Sequence, residues 1–343
     1  MFARVLIALA AGVIGMSLLL GAAAPRSREV TLLNVSYDTS RELYTAINKA
    51  FAEEYRKQTG NKVTVLTSHG GSGAQARAVI DGGKADVVTL ALSADIDAIA
   101  KAGLTAEAWQ SRLPEGSAPY TSTILFLVRK GNPKGIKDWG DLAKGDVRIM
   151  TANPKLSGGA RWNYLAAWGW ALKQPGGDEA KALAYVKEIY HRVPALESGA
   201  RATTLDFAKR GLGDVMLVWE YEAKLTQKEF SEDGFQVIAP SVSILAEPPV
   251  AVVDKLAAAD GVTAVAEAYL KYLYTPAGQE IIAQNFYRPR DAGVFKRHAA
   301  QYSPIKLFRI DDVFGDGTAG SGWRKAQARH FADGGVYDRE IRK

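Results

Sequence analysis

Short apolar runs alternate along the chain with stretches of helical spacing. Val30 to Val35 is strand-like, and Thr39 to Gln58 places Leu43, Ile47, Phe51 and Tyr55 on one helical face. Thr39-Ser-Arg-Glu42 has the spelling of a capping box, and Gly60 supplies a stop. Lys62 to Leu66 predicts the next strand, Ala74 to Ile80 a helix, and Ala85 to Leu92 an almost unbroken apolar run suited to a strand buried on both faces. Asp95 to Ala102 is again helical in spacing. After the turn-rich Leu113 to Thr121, a second series begins with strand Thr123 to Arg129 and a strand near Val147 to Thr151. Helices Ala160 to Leu172, Glu179 to Tyr190 and Thr203 to Arg210 come next, then strand Asp214 to Trp219. This alternation predicts α/β architecture in two lobes, each a mostly parallel sheet flanked by helices.

The turns at Ser241 to Pro249 predict a return of the chain to the first lobe, because the C-terminal segment is mainly helical and adds little sheet of its own. The expected division is 28–118 with 248–343 as a discontinuous first lobe and 119–247 as the second. Residues 1–24 read as a signal peptide: one arginine, the uncharged apolar run Val5 to Leu20, then small residues. With 343 residues of which 47% are hydrophobic, there is ample material for two cores. The chain has no cysteine, which excludes disulfides, thiolate metal sites and a thiol nucleophile. The formal charge is only +6, with basic and acidic residues interspersed, so nucleic acid is not an expected partner.

The candidate chemistry lies in three loops of similar composition: Gly70-Gly-Ser-Gly-Ala74, Ser157-Gly-Gly-Ala-Arg161 and Ser198-Gly-Ala-Arg201. Each falls between a predicted strand and a predicted helix, where unpaired backbone N–H groups and the positive helix end favour an anion. None of them spells GxxxxGK[ST] or GxGxxG, so a nucleotide phosphate cradle is not indicated. Gly70 to Ala74 is one residue short of a nucleophile elbow, and a secreted serine hydrolase using Ser72 and His69 is the rival from another class. Against it, His69 sits on the same loop as Ser72, His191 ends a helix, and His298 and His330 lie in polar, exposed-looking surroundings. No pair of histidines has metal-ligand spacing, and no cofactor or metal is expected. Trp162, Trp168 and Trp170 share a helix and read as core. Trp219 ends a strand at the ligand edge, where its indole N–H can only donate.

These residues carry a resemblance. LLNVSYD (from Leu32), SHGGSG (from Ser68), ADVVTLAL (from Ala85), APYTSTI (from Ala118), SGGARWNYLAAWG (from Ser157), SGAR (from Ser198), ILAEP (from Ile244) and NFYRPRD (from Asn285) closely resemble the periplasmic sulfate-binding proteins of bacterial ABC importers, in order and over nearly the whole chain. The resemblance implies a type II, two-lobed periplasmic binding protein that closes on sulfate in the cleft and delivers it, as a monomer, to a membrane permease. It implies backbone donors at Asp38, Ser72, Gly158, Gly159 and Ala200, a hydroxyl donor at Ser157 and an indole donor at Trp219. Leu156, where a polar residue is common, and a glycine-rich insertion at Asp316 to Ser321 depart from the pattern.

A sulfate dianion has acceptors only, so a pocket made only of donors satisfies it. Hydrogen phosphate carries a proton whose burial without an acceptor costs about 1–3 kcal/mol. Selectivity is therefore expected to come from the absence of a carboxylate at the site, with Asp38 offering its amide and turning its carboxylate away to cap the next helix. Arg161 and Arg201, each directly after a donor loop, are expected to support those loops from behind. Thiosulfate, molybdate and other tetrahedral oxyanions are rival ligands of the same class.

Overall fold

The computed structural model describes residues 29–318 and 320–341, so the expected signal segment lies outside it. Strand β1 (Glu29–Tyr37) leads through a 3-10 turn at Asp38–Ser40 into α1 (Arg41–Thr59), which Gly60 ends in a left-handed conformation (φ 73°). Strand β2 (Lys62–Gly70), helix α2 (Ser72–Ile80), strand β3 (Val87–Thr89) and helix α3 (Ser93–Lys101) complete the first series. The run from Ala85 to Leu92 is buried throughout, its two polar residues Asp86 and Thr89 included. β2 runs four residues past its predicted end, so His69 is a strand residue paired with Ser36, and Gly71 alone separates the strand from α2.

The second series comprises β4 (Ile124–Val128), β5 (Ile149–Ala152), α4 (Gly158–Leu172), α5 (Glu179–His191), β6 (Leu196–Glu197), α6 (Ala200–Ala208), β7 (Val215–Trp219), α7 (Glu220–Glu229) and β8 (Gln236–Ile238). β9 (Val250–Val252) then returns to the first sheet, ahead of α8 (Thr263–Tyr272) and α9 (Pro276–Gln284). Among the described residues the first sheet has the order β9-β3-β1-β2 and the second β6-β5-β7-β4-β8. In the first, β1 is parallel to β2 and β3, and β9 is antiparallel. In the second, β5 is parallel to β6 and β7, while β4 is antiparallel to β7 and β8.

Between the sheets three chain segments meet in a small crossing: Tyr120–Thr121 pairs with Arg288–Pro289, and Ser122 bridges Ala246. Glu220, fully buried at the start of α7, is held there by Arg288, whose Nη2 donates to it at 2.9 Å. The expectation that 248–343 belongs wholly to the first lobe is corrected for its last part. Lys306–Phe308 pairs with Val242–Ile244, and from Ser321 onward the tail packs on α4 and α5. Trp323 meets Trp162 at 4.6 Å between ring centres, and Phe331 meets Tyr164 at 5.0 Å. The physical reason is that α4 is buried nearly all round, and these tail aromatics cover it. Among the described residues no helix is long and apolar enough to cross a membrane.

Candidate functional site

The loops named from the sequence approach one another where the two sheets' strand ends face. Asp38 opens the 3-10 turn after β1, Ser72 is the first residue of α2, Gly158 and Gly159 open α4, Ala200 opens α6, and Trp219 ends β7. First-turn amides have no intrahelical acceptor, so each of these helix starts carries N–H groups that the helix itself does not use.

The glycines report how closely the two sides approach. A side chain on Gly158 would stand 2.9 Å from Ser72 Cβ and 2.6 Å from Ala91 Cβ, both on the other lobe. One on Gly71 would stand 2.7 Å from Leu156 O. One on Gly159 would stand 2.6 Å from Trp219 Nε1, and one on Gly199 would collide with the Asp38 carboxylate. Real Cβ atoms do not tolerate such distances, so these positions need glycine for close approach of backbone and indole rather than for φ.

The two serines differ. Ser72 Oγ donates to Asp95 Oδ2 at 2.6 Å and accepts from Ala91 N at 3.0 Å, which leaves only its amide for a ligand. Nor is that hydroxyl paired with His69, so the nucleophile-and-base arrangement is not assembled. Burial, with Arg41 adding repulsion, pushes the His69 pKa down to about 4. Ser157 is the N-cap of α4: its Oγ accepts from Ala160 N at 3.4 Å, so its own proton remains to be donated. Trp219 is 1% exposed, yet its Nε1 is buried without a hydrogen-bond partner. An orphan donor of this kind costs about 1–3 kcal/mol unless something accepts from it.

Arg161 is buried and reaches across the cleft. Its Nη1 donates to Asp95 Oδ1 at 3.0 Å and to Gln327 Oε1 at 3.1 Å, and its Nε donates to Pro154 O at 2.8 Å. It therefore grips its own loop, the tail, and the same aspartate that anchors Ser72. Arg201 pairs instead with Glu229 of α7 at 3.0 Å, at a half-exposed position.

Two sequence expectations are corrected. Asp38 does not turn its carboxylate away: Oδ2 accepts from Arg201 N at 3.3 Å, at the start of α6. Burial raises its pKa, and backbone N–H groups, that of Arg201 foremost, oppose the rise. The capping box at Thr39 does not form either, because Thr39 Oγ1 and the Tyr221 hydroxyl hydrogen-bond to each other at 2.5 Å across the cleft. His330 is also misjudged as exposed. It is fully buried against Trp168 and bonded to the Tyr164 hydroxyl at 3.0 Å, and burial pushes its pKa down to about 3.

Asp95, Tyr221 and Glu222 pack behind these loops without having been expected from the sequence. Asp95 lies three residues beyond a fully buried run, a signal for a helix start but not for a partner 66 positions away. Glu222 and Tyr221 come directly after Trp219, on a helix whose first three residues are all buried, an unusual place for two acids.

A two-lobed α/β fold with a donor-lined cleft at strand ends defines the class of solute-binding proteins. The chain belongs to the bacterial extracellular solute-binding protein family, whose model matches residues 35–288. It is 55% identical to the sulfate-binding protein of Escherichia coli over 95% of this chain and 97% of that protein. The thiosulfate-binding protein of Pseudomonas aeruginosa is 46% identical over 96% of both chains. Among solved structures, the sulfate-binding protein of Mycobacterium tuberculosis H37Rv superposes with a TM-score of 0.76 at 31% identity, over 85% of this chain and 97% of that one.

Proposed function

We propose that this protein is the periplasmic receptor of a sulfate ABC importer. It closes its lobes on the dianion and presents it, as a monomer, to a membrane permease. It is a binding protein and carries out no reaction. The amides of Asp38, Ser72, Gly158, Gly159 and Ala200, the Ser157 hydroxyl and the Trp219 indole hold the anion, while Arg161 fixes two of the donor loops. The observation that carries this reading is the buried, unpartnered Trp219 Nε1, set beside Gly159 at the start of α4. The similarity to sulfate-binding proteins along nearly the whole chain supports the ligand. The similarity to a thiosulfate-binding protein supports thiosulfate as a second ligand of the same pocket.

Calorimetric titration with sulfate, thiosulfate, molybdate and phosphate tests the proposal. Sulfate is expected to bind, with phosphate far weaker. Trp219→Phe is expected to lower sulfate affinity about tenfold, the worth of one buried hydrogen bond to a charged group, with little change in melting temperature. Equal affinity for phosphate would end the selectivity argument, and an unchanged Trp219→Phe affinity would remove the indole from the site.

A further inference from the structure

Directly behind the donor wall lies a carboxyl group that a site for a dianion should not tolerate. Glu222 is 3% exposed. Two small cavities, each about 10 Å³, flank it: one is lined in part by Gly159, Ala200 and Trp219, the other by Asp38, Thr39 and Arg201. Its side chain thus stands between the α6 and β7 donors on one side and the Asp38 turn on the other.

The hydrogen bonds around it bear on its protonation state. Thr204 Oγ1 lies 2.6 Å from Glu222 Oε1 and 3.1 Å from the carbonyl oxygen of Ala200. A hydroxyl has one proton and can donate to only one of them. If it donates to Ala200 O, the proton in the shorter contact must come from Glu222. The other oxygen, Oε2, is buried without any partner. An ionised carboxylate left with at most one shared donor in such surroundings is strongly disfavoured, whereas a neutral acid fits.

We propose that Glu222 is a specificity-determining residue of the anion site, held as a neutral carboxylic acid so that the wall formed by Ala200, Gly159 and Trp219 carries no negative charge. The acid proton goes to Thr204 Oγ1 and the Thr204 proton to Ala200 O, which polarises the peptide whose N–H, on Arg201, faces Asp38. A donor-only pocket is thereby kept compatible with two acidic side chains in its surroundings. Charged groups near Glu222 are Asp38 and Glu42, which disfavour its ionisation, and Arg201, which favours it; Arg41 joins Asp38, Glu42 and Arg201 around the second cavity. Burial is the largest influence, and together they push the Glu222 pKa up to about 8.

This inference rests on the sulfate reading, and one titration series separates the two. Sulfate binding by the wild-type protein at pH 7 tests the reading itself. The affinity is then expected to fall about tenfold between pH 7 and pH 9, because the protein must regain a proton to bind the dianion. Glu222→Gln keeps a neutral donor of the same shape, and it is expected to bind at pH 7 within about threefold of wild type with less than a twofold change up to pH 9. A wild-type affinity that is flat to pH 9, or a Glu222→Gln protein with the wild-type slope, overturns the proposal. The wild-type slope is decisive by itself if the variant does not fold.

Discussion

Two loops with nearly the same spelling, Ser157-Gly-Gly-Ala-Arg161 and Ser198-Gly-Ala-Arg201, each place glycine at a helix start and an arginine in the first turn. Their arginines differ. The Arg161 and Asp95 side chains are 6% and 7% exposed, and the pair joins the lobes; Arg201 and Glu229 are 36% and 42% exposed within one lobe. The contrast teaches that the shared letters set the presentation of amides, whereas the role of the arginine is set by what packs over it. Over Arg161 lie Gln327 and Phe331 of the tail, which remove it from water; the Arg201 side chain stays half-exposed. A buried pair with satisfied donors is costly to break on one side, because the remaining charge is stranded. A half-exposed pair is worth little.

The largest expected effect therefore comes from Arg161→Met. It strands Asp95, which then holds only the Ser72 hydroxyl, and unfolding in urea should show a loss of about 3–5 kcal/mol. Adding Asp95→Asn to that variant is expected to restore part of the loss, since the stranded charge is gone, with a coupling above about 1 kcal/mol. Purely additive losses would mean the two side chains do not act as a pair.

A second effect concerns the cover rather than the arginine. His330 is neutral in the folded protein down to about pH 3, but in the unfolded chain it takes up a proton near its ordinary value of 6.5. Below pH 6.5 the unfolded state therefore binds more protons, so this residue lowers stability as pH falls, by on the order of 1.4 kcal/mol per unit. His330→Gln is expected to flatten the melting temperature between pH 6.5 and 4 relative to wild type. Because the tail braces the Arg161 loop, hydrogen exchange at acid pH should quicken first in α4 and not in α6. Equal slopes in wild type and variant would show that His330 is not the titrating group.

Much of this architecture is legible in the sequence, for a physical reason. Strand and helix periodicity depends on neighbours a few residues away, and so do the unpaired amides of a helix start. The helices after the three loops form as periodicity predicts, although they open at Ser72, Gly158 and Ala200, two to three residues ahead of the predicted starts at Ala74, Ala160 and Thr203. The features that are not legible depend on long-range contact. Thr39 abandons its local capping role because Tyr221, 182 residues on, offers a hydroxyl at 2.5 Å. His330 looks exposed in the polar surroundings its sequence gives it, yet the ring is buried beside Trp168. Asp38 keeps its carboxylate inside because the first turn of α6 supplies an amide from the other lobe. Periodicity also gives no hint that an acid at position 222 can be buried as a neutral group.

The smallest effect sharpens the comparison most. Arg201→Ala removes the Glu229 pair but leaves the peptide N–H on Asp38 Oδ2 untouched. Alanine is also a good helix former, so stability should change by no more than about 0.5–1 kcal/mol. The guanidinium still contributes a positive charge near a dianion, and its removal should weaken sulfate binding about threefold at low ionic strength. At about 0.5 M sodium chloride wild type and variant should converge, since charges that are not in contact are screened over a few ångströms there. A loss above tenfold that persists in high salt would mean the side chain touches the anion. The two arginines would then be equivalent after all, and the difference in burial between them would not be what separates a structural partner from a ligand.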